Sequence, residues 1–225
     1  ITAQAKLFDF LPGTAWLYSN ANYIVLGAII EQLTGMSLSA AADVMLFKPL
    51  GLANTAFDSA AAVVRGRASG YTPVEGDTGR YTHAAFLEID EAGGAGAMRS
   101  TTADLCQWSA ALHGNQLFDA RYVEEMRSPG RLRDGRLSAQ RRFSANDAGY
   151  GDTSYAMGLL ISGPSAPVPS LMHYGAINGY AAFLEYFPVH DLTVAVLCNG
   201  DMAPAMPFRE IRKAIRSNIE QFRIV

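Results

Sequence analysis

The chain has 225 residues, 49% of them apolar and 17% charged, which suits one packed domain or two interlocked lobes and excludes a disordered chain. A formal net charge of −3 leaves no broad basic field for nucleic acid or an acidic membrane surface. No apolar run reaches the roughly 18 residues that mark a membrane span.

The opening Ile1-Thr2-Ala3-Gln4 has no initiator Met and no charged stretch before an apolar one, so it reads as a processed or truncated start. Pro12-Gly13 is a turn that delivers the chain to Tyr18-Ser19-Asn20. Tyr23 to Leu33 is apolar on nearly every face and stops at Thr34-Gly35, which predicts a buried helix with a glycine just past its end. Ser37 is placed to cap a second helix running to about Phe47, ended by Pro49 and the Leu50-Gly51-Leu52 turn. From Asn54 to Glu91 the pattern is mixed and predicts loops and short strands.

Gly93-Gly94-Ala95-Gly96 reads as a flexible approach to the next helix. Thr101 and Asp104 fit a capping box, so that helix is expected to run to His113 and end at Gly114. Asp119 should cap a short helix that stops before Pro129. Arg131 to Arg142 holds five arginines and one aspartate, the pattern of a solvated loop. Tyr155–Ile161, Tyr180–Phe187 and Leu192–Cys198 are rich in aromatic and β-branched residues and predict strands that neighbour one another antiparallel. Phe208, Ile211, Ile215, Ile219 and Phe222 then recur at helical spacing and mark an amphipathic C-terminal helix.

Helices first and strands later read as an α/β or α+β protein in two lobes. Residues 1–150 form a mainly helical lobe that starts with the Tyr18 region. Residues 151–225 hold antiparallel strands and the terminal helix. Cys106 and Cys198 read as small buried hydrophobes, and neither the cysteines nor the four scattered histidines show metal-ligand spacing.

Several chemistries drop out. None of the three lysines, Lys6, Lys48 and Lys213, completes a phosphate-binding loop. Gly94 and Gly96 lack the third glycine of a dinucleotide fingerprint, and no G-x-S-x-G elbow occurs. No metal or cofactor is expected.

Two short motifs remain, Tyr18-Ser19-Asn20 and His173-Tyr174-Gly175, and neither is specific alone. Their surroundings are. Pro12-Gly13-Thr14, then Tyr18-Ser19-Asn20, Tyr23 and a Gly27-containing apolar helix resemble a passage of class C-like β-lactamases, esterases and D-alanyl-D-alanine peptidases. The resemblance continues in order through Pro49-Leu50-Gly51-Leu52, Gly93-Gly94 ahead of Ser100-Thr101, Tyr155 with Gly158-Leu159, His173-Tyr174-Gly175 and the Val194–Asn199 run. It spans essentially the whole chain and implies a β-lactamase-like serine hydrolase that works through an acyl-enzyme on a small-molecule or peptide-like ester, amide or lactam. It also makes a periplasmic or secreted setting natural.

Serine acyl transfer needs an activated hydroxyl, a proton shuttle, an oxyanion hole and a substrate clamp. By resemblance, Tyr18 is the base or shuttle, which for a phenol of pKa about 10 requires a nearby cation. Asn20 would bond the substrate amide and the active-site lysine, and His173 would supply an electropositive donor. Gly175 would give room beside the strand edge, and the backbone N–H of Ala176 would be one oxyanion donor.

The family's third motif, S-x-x-K, does not occur: three residues before the lysines stand Ala3, Met45 and Glu210. The chain is therefore expected to be a C-terminal portion with an incomplete sheet, inactive alone, its open edge inviting a swapped or edge-paired partner or the upstream segment. Tyr174 replaces the usual small hydroxyl residue and Ala176 a common second glycine, which weakens a carboxylate clamp and favours an esterase or peptidase-like substrate. A non-catalytic relative used for binding or scaffolding, or an unrelated α+β domain, remains open at this stage.

Overall fold

Ser19 lies in extended backbone and releases the chain into helix α1, Asn20–Thr34, which closes where Gly35 adopts the left-handed conformation (φ 66°) and its N–H returns to the Glu31 carbonyl. This computed structural model describes residues 8–77, 79–140, 152–201 and 208–222. The expectation that α1 is buried all round does not hold. Ile24, Val25, Leu26, Ile29, Ile30 and Leu33 are exposed, Leu33 at 80%, and only Gly27 is buried. A helix apolar on every face needs cover on every face. Among the described residues, α1 finds it mainly against Ile89–Ala95 and against Leu38–Ala42.

The Ser37 hydroxyl accepts the Ala40 N–H and starts α2, Leu38–Ala42, which widens into a π-helical turn, Asp43–Phe47. Ala42, Phe47 and Leu52 form a small core there with Phe57 and Trp108 around it. Two two-stranded ribbons follow: β1 (Ala56–Phe57) pairs with β4 (Met98–Arg99), and β2 (Tyr71–Pro73) pairs with β3 (Tyr81–His83). Between β3 and β4, Ile89–Ala95 is 3-10 helical.

Thr101 caps α3, Thr102–His113, by accepting the Asp104 N–H, but Asp104 does not complete a reciprocal box. Its buried carboxylate instead accepts the Asn54 N–H and the Thr55 hydroxyl, tying that loop to α3. Asp119 precedes α4, Ala120–Arg127, without a side-chain cap bond. The stretch expected to be a solvated loop is anchored: Arg131 bridges to Leu137, and Leu132 and Ser138 are buried. Arg141 and Arg142 lie outside the described residues.

The main sheet has five antiparallel strands in the order β5 (Ser154–Tyr155), β6 (Leu160–Ile161), β7 (Leu171–Ile177), β8 (Tyr180–Phe187), β9 (Leu192–Cys198). Two expectations change here. The run 155–161 is a tight hairpin rather than one strand, because Gly158 takes a positive φ of 74° and turns the chain back on itself. A strand not anticipated in full, β7, inserts between that hairpin and β8. Its cue was Asn178-Gly179, a two-residue turn in which Gly179 adopts φ 79°.

Helix α5, Phe208–Asn218, continues as a 3-10 turn, Ile219–Phe222. Phe208 packs on Ala181 and Phe183, its ring 5.6 Å from that of Phe183, while Ile219 is buried and Ile211 and Ile215 are half-buried. Glu185, also on this face, is fully buried and paired with Arg212 and Arg216 of α5. The opposite face carries α3: the Ser109 and Thr193 hydroxyls meet at 2.8 Å, and His113 stacks on Tyr186. Cys106 and Cys198 are free thiols and half-buried rather than buried.

Candidate active site

Strand alternation decides what each residue of the His173 motif faces. His173 lies opposite Leu184, whereas Met172 and Tyr174 lie opposite Glu185 and Phe183 on the α5 side. Tyr174 helps line a cavity of about 570 Å³ under α5, with Leu160, Met172, Phe183, Phe208 and Arg212.

Tyr18, immediately before α1, comes to this strand. Its ring lies 6.2 Å from His173 and 5.9 Å, edge-on, from Tyr155. The approach to it is braced at Pro12-Gly13, whose Gly13 carbonyl accepts the Arg133 N–H. Tyr155, half-buried on β5, sits among Trp16, Tyr18 and His173 and is held by its own carbonyl, which accepts the Gly130 N–H. Tyr23, one turn into α1, reaches the Tyr155 hydroxyl at 3.2 Å. It stands where Gly94 packs against α1, so close that a Cβ on Gly94 would overlap the Tyr23 carbonyl oxygen. The glycines expected to be merely flexible are thus a packing contact behind the site.

Asn20, the first residue of α1, is exposed, as are Gly175 and Ala176 on β7. A Cβ on Gly175 would meet only open space. Strand β6 pairs with β7 only at Leu171 and Met172. Among the described residues, the edge of β7 from His173 to Ile177 that faces away from β8 has no strand beside it. The structure therefore brings Tyr18 and His173 together, leaves Asn20, Gly175 and Ala176 accessible, and adds Tyr155 and Tyr23. The short Tyr155-to-Gly158 motif was the available signal for Tyr155; nothing local marked Tyr23 as a partner of β5.

Burial sets the electrostatics of the two rings. Burial pushes the Tyr18 phenol above its ordinary pKa, and the neighbouring Tyr23 and Tyr174 phenols add to the shift. Burial likewise lowers His173, partly opposed by its bond to the Tyr174 carbonyl. Burial thus favours the neutral imidazole. Lys48 is paired with Asp43 at 2.6 Å on the exposed π-helical turn. Among the described residues, no group of three or more His, Cys, Asp or Glu side chains is arranged to hold a metal ion. No single helix among them is long and apolar enough to cross a membrane.

The β-lactamase family model matches residues 2–216. The chain belongs to the β-lactamase family. Penicillin-binding protein 4* of Bacillus subtilis (strain 168) is 25% identical over 203 residues, covering 85% of this chain and 41% of that protein. A D-stereospecific amidohydrolase from Streptomyces sp. superimposes with a TM-score of 0.73 at 25% identity, covering 92% of this chain and 56% of that one. A penicillin-binding protein from Bacillus halodurans superimposes with a TM-score of 0.73 at 18% identity, covering 92% and 58%, and this likeness shows the fold alone. This β-lactamase-family chain has the family's mixed fold of helices on an antiparallel sheet and spans about half the length of these relatives.

Proposed function

We propose that this chain is the C-terminal, substrate-binding portion of a serine hydrolase that acts through an acyl-enzyme on an amide, ester or lactam. The nucleophile comes from residues outside these 225, because no serine stands three positions before any lysine. The observation that carries the reading is the meeting of Tyr18 and His173, 155 positions apart in sequence and 6.2 Å apart as rings, beside the open edge of β7.

Tyr18 is the proton shuttle and Ala176 supplies an oxyanion donor; Asn20, His173 and Gly175 contact substrate. The raised Tyr18 fits a site short of its cation, since a lysine beside the missing serine would favour the phenolate. The site lies between a mainly helical lobe, residues 1–150, and a sheet lobe, residues 151–225. Among the described residues no strand pairs with the outer edge of β9 (Leu192–Cys198), and a strand of the missing segment or of a second copy would pair there. Likeness to a D-stereospecific amidohydrolase and a penicillin-binding protein supports a small or peptide-like amide substrate and a periplasmic or cell-wall setting.

The test is covalent labelling. The full-length protein should react stoichiometrically with a fluorophosphonate, and the 225-residue chain should not. In the full-length protein Tyr18→Phe should cut turnover about 10²–10⁴-fold, the usual worth of a general acid–base group, with binding nearly unchanged. Stoichiometric labelling of a serine within these residues, located by mass spectrometry, would overturn the reading. That no cation among the described residues acts on Tyr18 favours a second reading, a non-catalytic binding module; a full-length protein that never labels and has no upstream S-x-x-K would establish it.

A further inference from the structure

The hydrogen bonds of His173 have a direction. Nδ1 lies 2.7 Å from the Tyr174 carbonyl oxygen. A carbonyl only accepts, so Nδ1 carries the hydrogen, and in the neutral ring Nε2 is then a bare acceptor. The Tyr155 hydroxyl lies 3.4 Å from Nε2 and must be its donor. Having one proton, that hydroxyl turns its lone pairs to Tyr23, 3.2 Å away, which donates in turn. The result is a directed chain, Tyr23 to Tyr155 to His173, linking α1, β5 and β7. Trp16 and Tyr18 contact the Tyr155 ring at 5.5 and 5.9 Å and fix its orientation.

We propose that Tyr155 is a positioning residue that acts through His173: it holds the imidazole as the neutral Nδ1–H tautomer with Nε2 engaged, so that β7 presents no cation to the substrate. The substrate class follows. A lactam or C-terminal peptide carries a carboxylate near the scissile bond and gains from a cationic clamp, whereas a neutral amide or ester loses nothing where that clamp is silent. The site therefore selects substrates uncharged at that position. This specificity rests on the acyl-transfer reading above; the tautomer stands on geometry alone.

Among the described residues, the titratable groups facing the ring are phenols: Tyr155 from β5, Tyr18 ahead of α1, Tyr23 behind Tyr155, and Tyr174 beside it on β7. The residue opposite on β8 is Leu184. A donor to Nε2 favours the neutral ring, and its removal should raise the pH at which His173 protonates.

Nitrogen-15 labelling of histidine with long-range proton–nitrogen correlation reads the tautomer directly. In the parent protein, His173 Nδ1 should be protonated and Nε2 bare. In Tyr155→Phe the Nε2 resonance should move downfield, towards that of an unbonded imidazole nitrogen, and the titration midpoint should rise. Tyr23→Phe should give a smaller change in the same direction. A protonated Nε2 in the parent, or an unchanged His173 spectrum in a folded Tyr155→Phe, would overturn the proposal. If Tyr155→Phe does not fold, Tyr23→Phe decides, and an unchanged Nε2 signal there overturns the chain.

In the full-length protein, the preference in kcat/KM for a carboxamide substrate over its free-carboxylate analogue should narrow about tenfold in Tyr155→Phe, the worth of one charge-assisted hydrogen bond. An unchanged ratio refutes the specificity claim. A full-length protein that never acylates refutes the functional reading instead, and leaves the tautomer to be decided by the spectrum.

Discussion

Removing Glu185 should destabilise this protein more than its place on a strand would suggest. Its side chain is 1% exposed, and four donors converge on it. The Ser170 hydroxyl lies at 2.7 Å, Arg212 donates through Nε at 3.0 Å and a terminal nitrogen at 2.9 Å, and Arg216 donates at 2.8 Å. Burial alone pushes the carboxyl up, but the bonds from Arg212 and Ser170 and the two guanidinium charges outweigh it, and the group sits below its ordinary pKa. Glu185→Ala leaves two guanidiniums facing a void. Breaking a buried pair in this way costs about 3–5 kcal/mol. The arginine side chains keep 28% and 21% exposure, so water recovers part of the loss and the lower end, about 3 kcal/mol, applies.

In a chain of this size each kcal/mol moves Tm by roughly 2–4 °C, so thermal unfolding followed by circular dichroism should show a drop of about 6–12 °C at pH 7. Because the folded pKa is depressed, this stabilisation is complete above the ordinary glutamate range and is lost as pH falls through the folded value. Parent and variant melts should therefore converge in acid. The triple change Glu185→Leu, Arg212→Met and Arg216→Met should recover most of the loss, since it removes the charges together. A Glu185→Ala melt within about 2 °C of the parent at pH 7 would refute this account.

Gly94→Ala places a methyl on the Tyr23 carbonyl and should cost about 1–3 kcal/mol through overpacking, read as a lower urea midpoint with unchanged slope. His113 gives a pH signature. Stacked on Tyr186 at 4.0 Å and accepting from Arg127, it is pushed by burial and then by that guanidinium from 6.5 to about 4. The unfolded histidine takes up its proton first, so its contribution to stability is whole above pH 6.5 and is lost on the way down to about 4. His113→Gln should flatten that part of the stability–pH curve, and an unchanged slope would mean the ring is not held neutral.

Local signals were legible in the sequence because they act within a turn of backbone. Ser37 and Thr101 cap their helices, Gly35 closes α1, and Tyr180–Phe187 and Leu192–Cys198 form the strands their composition predicts. The order of short motifs along the chain likewise carried the family and fold. Burial and partnership were not legible, because contacts between distant residues decide them. Apolar composition could not say that α1 would keep Ile24, Val25 and Leu33 in water. Nothing near Glu185 named Arg212 and Arg216, 27 and 31 positions on, as its counter-charges. The motif around His173 implied a donor. Only the tertiary structure sets the ring's partners, because β5 brings a phenol to one ring nitrogen while the strand's own Tyr174 carbonyl accepts a hydrogen bond from the other.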